Sequence, residues 1–290
     1  MTTSFEMPRR LVESLAVDES DDRREWAATL PRLVPDVAAR WRLTLGSPFQ
    51  PGGMCSWVAP ARTAAGEDLV LKVGWARGES EHELEGLRVW DGAGTVRLHR
   101  GEKDDATTYL LLERGADGRD LSSRPEEEQD EVVAGLLRRL WVEPPTGHLF
   151  RPLAQMCAEW TDEFEARPQR PPFDPGLARV GAELFRTLPG TAVDQRLLLT
   201  DLHAENVLAA GREPWLVIDP KPYVGDPVYD PVQHLLNCPG RLRADPHGMV
   251  ARMADLCEVD RDRLRLWVFA RCVVEWLWFD VDGVVESLAP

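Results

Sequence analysis

The sequence predicts an α+β chain in two parts, a small β-rich first part and a larger, mostly helical second part. Three observations lead there. At 290 residues the chain is long enough for two cores. Its strand-like apolar runs, residues 43–73 and 108–113, fall early. Amphipathic helical stretches dominate after a polar, turn-rich segment at residues 117–125. The expected division is therefore 1–116 and 117–290.

Composition fits a globular protein, with 43% hydrophobic and 29% charged residues. The net charge of −15, from 34 basic and 49 acidic side chains, argues against nucleic acid or an anionic membrane as partner. It suits a cationic small molecule and suits plain solubility equally well. The five cysteines, Cys55, Cys157, Cys238, Cys257 and Cys272, are scattered and form no Cys-x-x-Cys pair. Neither a disulfide framework nor a zinc site is expected. No signal-peptide core and no apolar run of ~20 residues is present, so a cytoplasmic protein, monomer or weak dimer, is expected.

Taken in order, residues 1–45 read as a helical lead-in. Pro31 and Pro35 predict two short helices over 21–41 rather than one. Gly52 and Gly53 lie in a loop before the strand-like 56–58. Such a pair can cover phosphates with backbone N–H groups or simply turn the chain. No Gly-x-x-x-x-Gly-Lys-Ser/Thr occurs, so no P-loop is supported. Lys72 sits among Leu and Val at 68–73, where it needs an anionic partner or an exposed edge. In the helix at 80–90, Glu83 shares a stripe with Leu87 and Trp90 and can point inward. Ser80-x-x-Glu83 is equally a capping box. Residues 108–113 form a buried strand ending at Glu113.

The second part opens with a helix at 126–141, striped by Val132, Val133, Leu136, Leu137 and Leu140. Helices at 151–165 and 176–188 follow, separated by a proline-rich loop. Two short strands, 206–208 and 215–218, are split by Gly211 and Pro214 and read as a hairpin. Asp201, Asn206 and Asp219 cluster around it. A carboxylate with an amide oxygen makes a hard-oxygen pair suited to Mg²⁺, with phosphate and water completing the shell. A further carboxylate five positions earlier can accept a hydroxyl proton. Singly, each of the three is also an ordinary turn residue. Asp230-Pro231 opens another helix as N-cap and first residue. Residues 260–288 read as one C-terminal helix carrying Glu275, Asp280 and Asp282.

Asp201-Leu202-His203-Ala204-Glu205-Asn206, with Ile218-Asp219-Pro220, resembles the catalytic and metal-binding loops of the aminoglycoside phosphotransferases. Asp219-Pro220-Lys221-Pro222-Tyr223-Val224-Gly225-Asp226-Pro227, with Tyr229-Asp230-Pro231, is similar to the streptomycin 6-phosphotransferase and hydroxyurea phosphotransferase branch. The resemblance implies a two-lobed protein-kinase-like fold that moves the ATP γ-phosphate to a hydroxyl of a small cationic antibiotic. Streptomycin is the first acceptor implied and hydroxyurea the alternative. It implies Asp201 as base, Asn206 and Asp219 as Mg²⁺ ligands, and Lys72, fixed by Glu83, on the ATP phosphates. It also implies Gly52 and Gly53 over those phosphates, Glu113 at the adenine hinge, Asp230 bonded to the catalytic loop, and Glu275, Asp280 and Asp282 beside the acceptor. The wider family has His-Gly-Asp where this chain has Leu199-Thr200-Asp201. A catalytically silent, nucleotide-binding relative would lack a metal ligand or the base, and none is lost here. A protein kinase would carry Ala-Pro-Glu after Asp219, which is absent.

Overall fold

The computed structural model describes residues 5–17, 20–104, 106–116 and 118–290. Asp117, the expected start of the second part, lies outside the described residues. The chain forms two compact units: Met1–Asp117 with Ala210–Leu216, and Gly118–Ala209 with Val217–Pro290. Sequence order alone did not place 210–216 with the first.

The first unit runs α1 (Arg9–Val17), α2 (Asp21–Trp41), β1 (Leu43–Leu45), β2 (Ser56–Thr63), β3 (Asp68–Trp75), α3 (Glu83–Trp90), β4 (Leu98–Lys103) and β5 (Thr107–Glu113). Its five strands form one antiparallel sheet in the order β1-β2-β3-β5-β4. Because side chains alternate along a strand, Leu69, Leu71 and Val73 of β3 face one way. They join Trp26, Leu30, Val34, Val37 and Trp41 of α2 in one core. Lys72 therefore points to the opposite face.

The structure corrects the reading of 21–41: α2 is one continuous helix with Pro31 and Pro35 inside it. Both prolines are exposed. They stand four residues apart, so their lost N–H groups fall on the solvent face, where water can serve the freed carbonyls. The opposite stripe is buried against the sheet, and tertiary packing outweighs the two breaks.

The second unit runs α4 (Glu126–Leu140), β6 (Arg151–Pro152), α5 (Leu153–Ala166), α6 (Pro175–Thr187), β7 (Arg196–Leu198), β8 (Val207–Ala209), then, after β9 (Trp215–Val217), whose first two residues count with the first unit, β10 (Tyr223–Gly225), α7 (Pro231–Leu236), α8 (Pro239–Ala244), α9 (Pro246–Cys257), α10 (Arg261–Val274) and α11 (Val284–Leu288). β10 is the middle of a small sheet, parallel to β6 and antiparallel to β7. Helix α10 is the hub: Leu264, Trp267, Val268, Phe269 and Val273 are buried on it. Gly181 of α6 lets that helix lie against Val273, for a Cβ there would meet its side chain at 2.4 Å. The single helix expected over 260–288 is also corrected. α10 stops at Val274, and α11 begins after Gly283, whose φ of +69° suits a residue without Cβ. No helix among the described residues is long and apolar enough to cross a membrane.

Candidate active site

In the first unit, Lys72 Nζ lies 2.7 Å from Glu83 Oε1, with side chains only 9% and 3% exposed. The capping alternative for Glu83 is not what the chain uses, since α3 begins with Glu83 itself and His82 precedes it as N-cap. Strand β3 and the first turn of α3 thus bring the two charges together. A buried lysine needs such a carboxylate, because its ammonium is costly to desolvate alone.

Gly52 and Gly53 lie in the connection between β1 and β2. Gly52 has φ +76°, and a Cβ there would meet the Pro8 side chain at 2.5 Å. The loop is tied to the N-terminal segment: Arg10 N–H donates to Pro51 O, and the Trp57 indole donates to Glu6 O, both at 3.0 Å. The Glu113 carboxylate accepts from the Arg212 guanidinium at 3.0 Å and from Arg97 N–H at 2.9 Å. Its side chain is therefore engaged within the unit, and its backbone N–H donates to Arg97 O at 2.8 Å, which leaves its carbonyl for the expected hinge contact.

In the second unit, register explains how the expected residues meet. Leu198, the last residue of β7, lies opposite Tyr223, the first of β10. The loop after β7 carries Asp201 and the segment before β10 carries Asp219, so both emerge at one end of the sheet. Ile218 N–H donates to Asn206 O at 2.9 Å, which sets Asn206 beside Asp219. Asn206 Nδ2 donates to Asp201 O at 2.9 Å and lies 3.4 Å from Asp201 Oδ2. With its amide nitrogen engaged, Asn206 has its oxygen left for a cation.

Asp230 shapes this loop. Its carboxylate accepts Leu199 N–H at 3.0 Å, Thr200 N–H at 2.8 Å and the Trp141 indole at 2.9 Å. It precedes α7 but makes no side-chain cap, which corrects the capping role expected of it, while its bonds to the loop before Asp201 are those the resemblance implies. Thr200 stands at φ +48° and Asp219 at φ +52°. The first is where the wider family has glycine, and threonine there is strained. Its N–H bond to Asp230 and its hydroxyl bond to Lys221 O at 2.7 Å hold it, and Lys221 N–H to Leu199 O at 2.9 Å braces the same turn.

Burial pushes the Asp201 carboxyl above its ordinary value, against the nearby positive charge of Lys221 and His203. A raised carboxyl is better matched to taking a proton. Burial pushes Asp230 up to about 6 while its N–H donors pull it down. His203 is lowered by burial and lies 3.9 Å from Asp201.

Among the described residues, no three His, Cys, Asp or Glu side chains form a metal cluster. A carboxylate plus an amide oxygen nevertheless fits Mg²⁺ arriving with phosphate, because that ion keeps few protein ligands. The C-terminal acids part company. Glu275 accepts from Arg271 Nε at 2.5 Å, Asp280 pairs with Arg243 at 2.7 Å, and Asp282 is exposed. The structure does not gather the three into one cluster.

Sequence reasoning gave no role to Lys221 or Arg271. Lys221 Nζ lies 2.5 Å from Asp219 Oδ1. Arg271 is buried, stacked 5.3 Å from Tyr229 and 5.5 Å from Trp160. A cation between two prolines in a buried run was the available signal for the first. Nothing in the letters marked the second. Asp226, part of the family-like string, is an anchor for α10, accepting Arg263 Nε and the Trp267 indole at 2.6 Å each.

Residues 40–283 match the family described as aminoglycoside/hydroxyurea antibiotic resistance kinase. A streptomycin 6-kinase of Streptomyces griseus is 37% identical over 98% of this chain and 94% of its own length. A hydroxyurea phosphotransferase of Kitasatospora aureofaciens is 37% identical over 97% of this chain and 82% of its own. Among solved structures, an amicoumacin kinase in complex with AMP-PNP and Ca²⁺ aligns with a TM-score of 0.61 at 13% identity, covering 92% of each chain. At that identity the likeness is one of fold, and the fold is protein-kinase-like.

Proposed function

The chain belongs to the aminoglycoside/hydroxyurea antibiotic resistance kinase family, and from that premise we propose that it transfers the ATP γ-phosphoryl group to a hydroxyl of streptomycin. The observation that carries this reading is the meeting of Asp201, Asn206 and Asp219 at one end of the small sheet of the second unit.

Asp201 orients the acceptor hydroxyl and takes its proton as the oxygen bonds to the γ-phosphorus. The bond from that phosphorus to the bridging oxygen breaks, and ADP leaves. Asn206 and Asp219 are the residues that would hold Mg²⁺, which when bound neutralises triphosphate charge. Lys72, fixed by Glu83, neutralises the α- and β-phosphates. The backbones of Gly52 and Gly53 and the Glu113 carbonyl contribute nucleotide contacts. Such catalysis is mainly positioning and charge stabilisation. The protein is read as a cytoplasmic monomer or weak dimer.

A coupled ADP-release assay over an aminoglycoside panel plus hydroxyurea tests this. Streptomycin is expected to accelerate ADP release, and Asp201→Asn to lower kcat by about 10²–10⁴-fold with little change in melting temperature. Asp201→Asn at the wild-type rate would remove the base assignment. Silence across the aminoglycosides would remove the drug. A second reading, hydroxyurea as acceptor, is favoured by the 37% identity to a hydroxyurea phosphotransferase, and the same panel separates the two.

A further inference from the structure

Lys221 follows Asp219 by two residues, between Pro220 and Pro222, and is 7% exposed. Its backbone is clamped on both sides, by its N–H to Leu199 O and by the Thr200 hydroxyl to its own carbonyl. The flanking prolines fix φ on either side. The ammonium is thus delivered from a rigid backbone to Asp219 Oδ1 at 2.5 Å. It is also the largest of the positive charges acting on the Asp201 carboxyl. Lys221 therefore places its charge near both the carboxylate read as the base and the one read as a metal ligand.

A lysine this buried needs an anion. The anion it holds is the one that the reading above gives to a divalent cation. An oxygen accepting an ammonium at this distance is not open to a metal ion from the same side, and the two positive charges repel. Asp219, 36% exposed, is still within reach of solvent and of anything arriving from it.

We propose that Lys221 is a resident counter-ion of the metal site, holding Asp219 in the nucleotide-free protein and keeping a bare divalent cation out until phosphate oxygens come with it. This rests on the metal role read for Asp219. Metal and nucleotide then strengthen each other's binding, and by linkage they do so equally. Phosphate oxygens supply the negative charge that the ammonium loses when Asp219 turns to the metal.

The test is Mn²⁺ binding, followed by electron paramagnetic resonance without acceptor or turnover. Mn²⁺ takes the same oxygen donors as Mg²⁺. Wild type should bind free Mn²⁺ weakly, and ADP should tighten it. Lys221→Met should bind free Mn²⁺ about tenfold tighter or more, the equivalent of one modest charge interaction, and ADP should add less. Lys221→Arg, which keeps the charge, should behave as wild type. Adding Asp219→Asn to Lys221→Met should abolish the gain. Lys221→Gln serves in place of Lys221→Met if circular dichroism shows that variant unfolded. Unchanged Mn²⁺ affinity in the neutral variant overturns the proposal, as does a gain that survives loss of Asp219. No readout uses a drug, so a failed acceptor panel and a failed counter-ion are told apart.

Discussion

Lys72 reaches Glu83 from the middle of a five-stranded sheet to the first turn of a helix. Lys221 reaches Asp219 across two residues of loop. The chemistry is the same, an ammonium on a carboxylate, and the two lysines are equally buried at 9% side-chain exposure. The acids differ. Glu83 is 3% exposed and rooted in a helix, whereas Asp219 is 36% exposed at a left-handed turn. A pair with both ends buried on regular elements is a permanent part of its unit. A pair whose acid still meets solvent can exchange its partner.

The largest expected effect tests that contrast directly. Lys72→Met leaves Glu83 buried without its ammonium and should destabilise by about 3–5 kcal/mol. Lys221→Met should cost about 1 kcal/mol or less, because solvent reaches Asp219. Urea midpoints measure both, and equal shifts would break the comparison. Glu83→Leu added to Lys72→Met should recover part of the loss.

Acid provides the next test, on a third carboxylate that cannot exchange its partners. Asp130 is fully buried and accepts from Arg241 at 2.7 Å and Arg252 at 2.9 Å, with His234 Nε2 at 2.9 Å. Burial works to raise its carboxyl, but hydrogen bonds from His234, Arg241 and Arg252 outweigh it and hold it well below the usual carboxylate range. A carboxyl lowered by folding stabilises above its unfolded value, near pH 4, and that stability is lost as pH falls below it. The melting temperature should therefore drop on acidification below about pH 4, and Asp130→Asn should flatten that limb. Asp201 is shifted the other way, so Asp201→Asn should leave the limb intact.

The smallest effect concerns the clamp on Lys221. Thr200→Val removes one hydroxyl bond and should cost about 1 kcal/mol. Thr200→Gly loses the same bond but relieves about 1–2 kcal/mol of left-handed strain, so its urea midpoint should lie close to wild type. If Thr200→Gly falls as far as Thr200→Val, the strain assigned to Thr200 is not there.

What was legible in the letters followed from local rules. Lys72 stood out as a charge in an apolar strand, and Glu83 as an acid on an apolar helical stripe. Asp201, Asn206 and Asp219 stood out by joint spacing. What was not legible needed the third dimension. Whether Pro31 and Pro35 end a helix depends on which face they occupy, and only the buried stripe opposite them decides it. Glu113 was read as a strand end, but Arg212 lies 99 residues away in sequence and no local pattern pairs them. Thr200 looked like a departure from the family's glycine. Its left-handed backbone shows the loop keeping a glycine-like conformation, with side-chain and backbone bonds supplying what glycine's freedom would otherwise give.

The family match begins at residue 40, yet Leu11, Trp26, Leu30 and Val34 belong to the core that covers one face of the sheet. The span of the family match and the folding unit are thus not the same length of chain, and the streptomycin 6-kinase of Streptomyces griseus aligns over 98% of this chain. A protein trimmed to residues 40–283 would present bare apolar sheet to water and free the Trp57 indole and the Pro51 carbonyl from their N-terminal partners. Aggregation of such a fragment would report on the missing helices and say nothing about its chemistry.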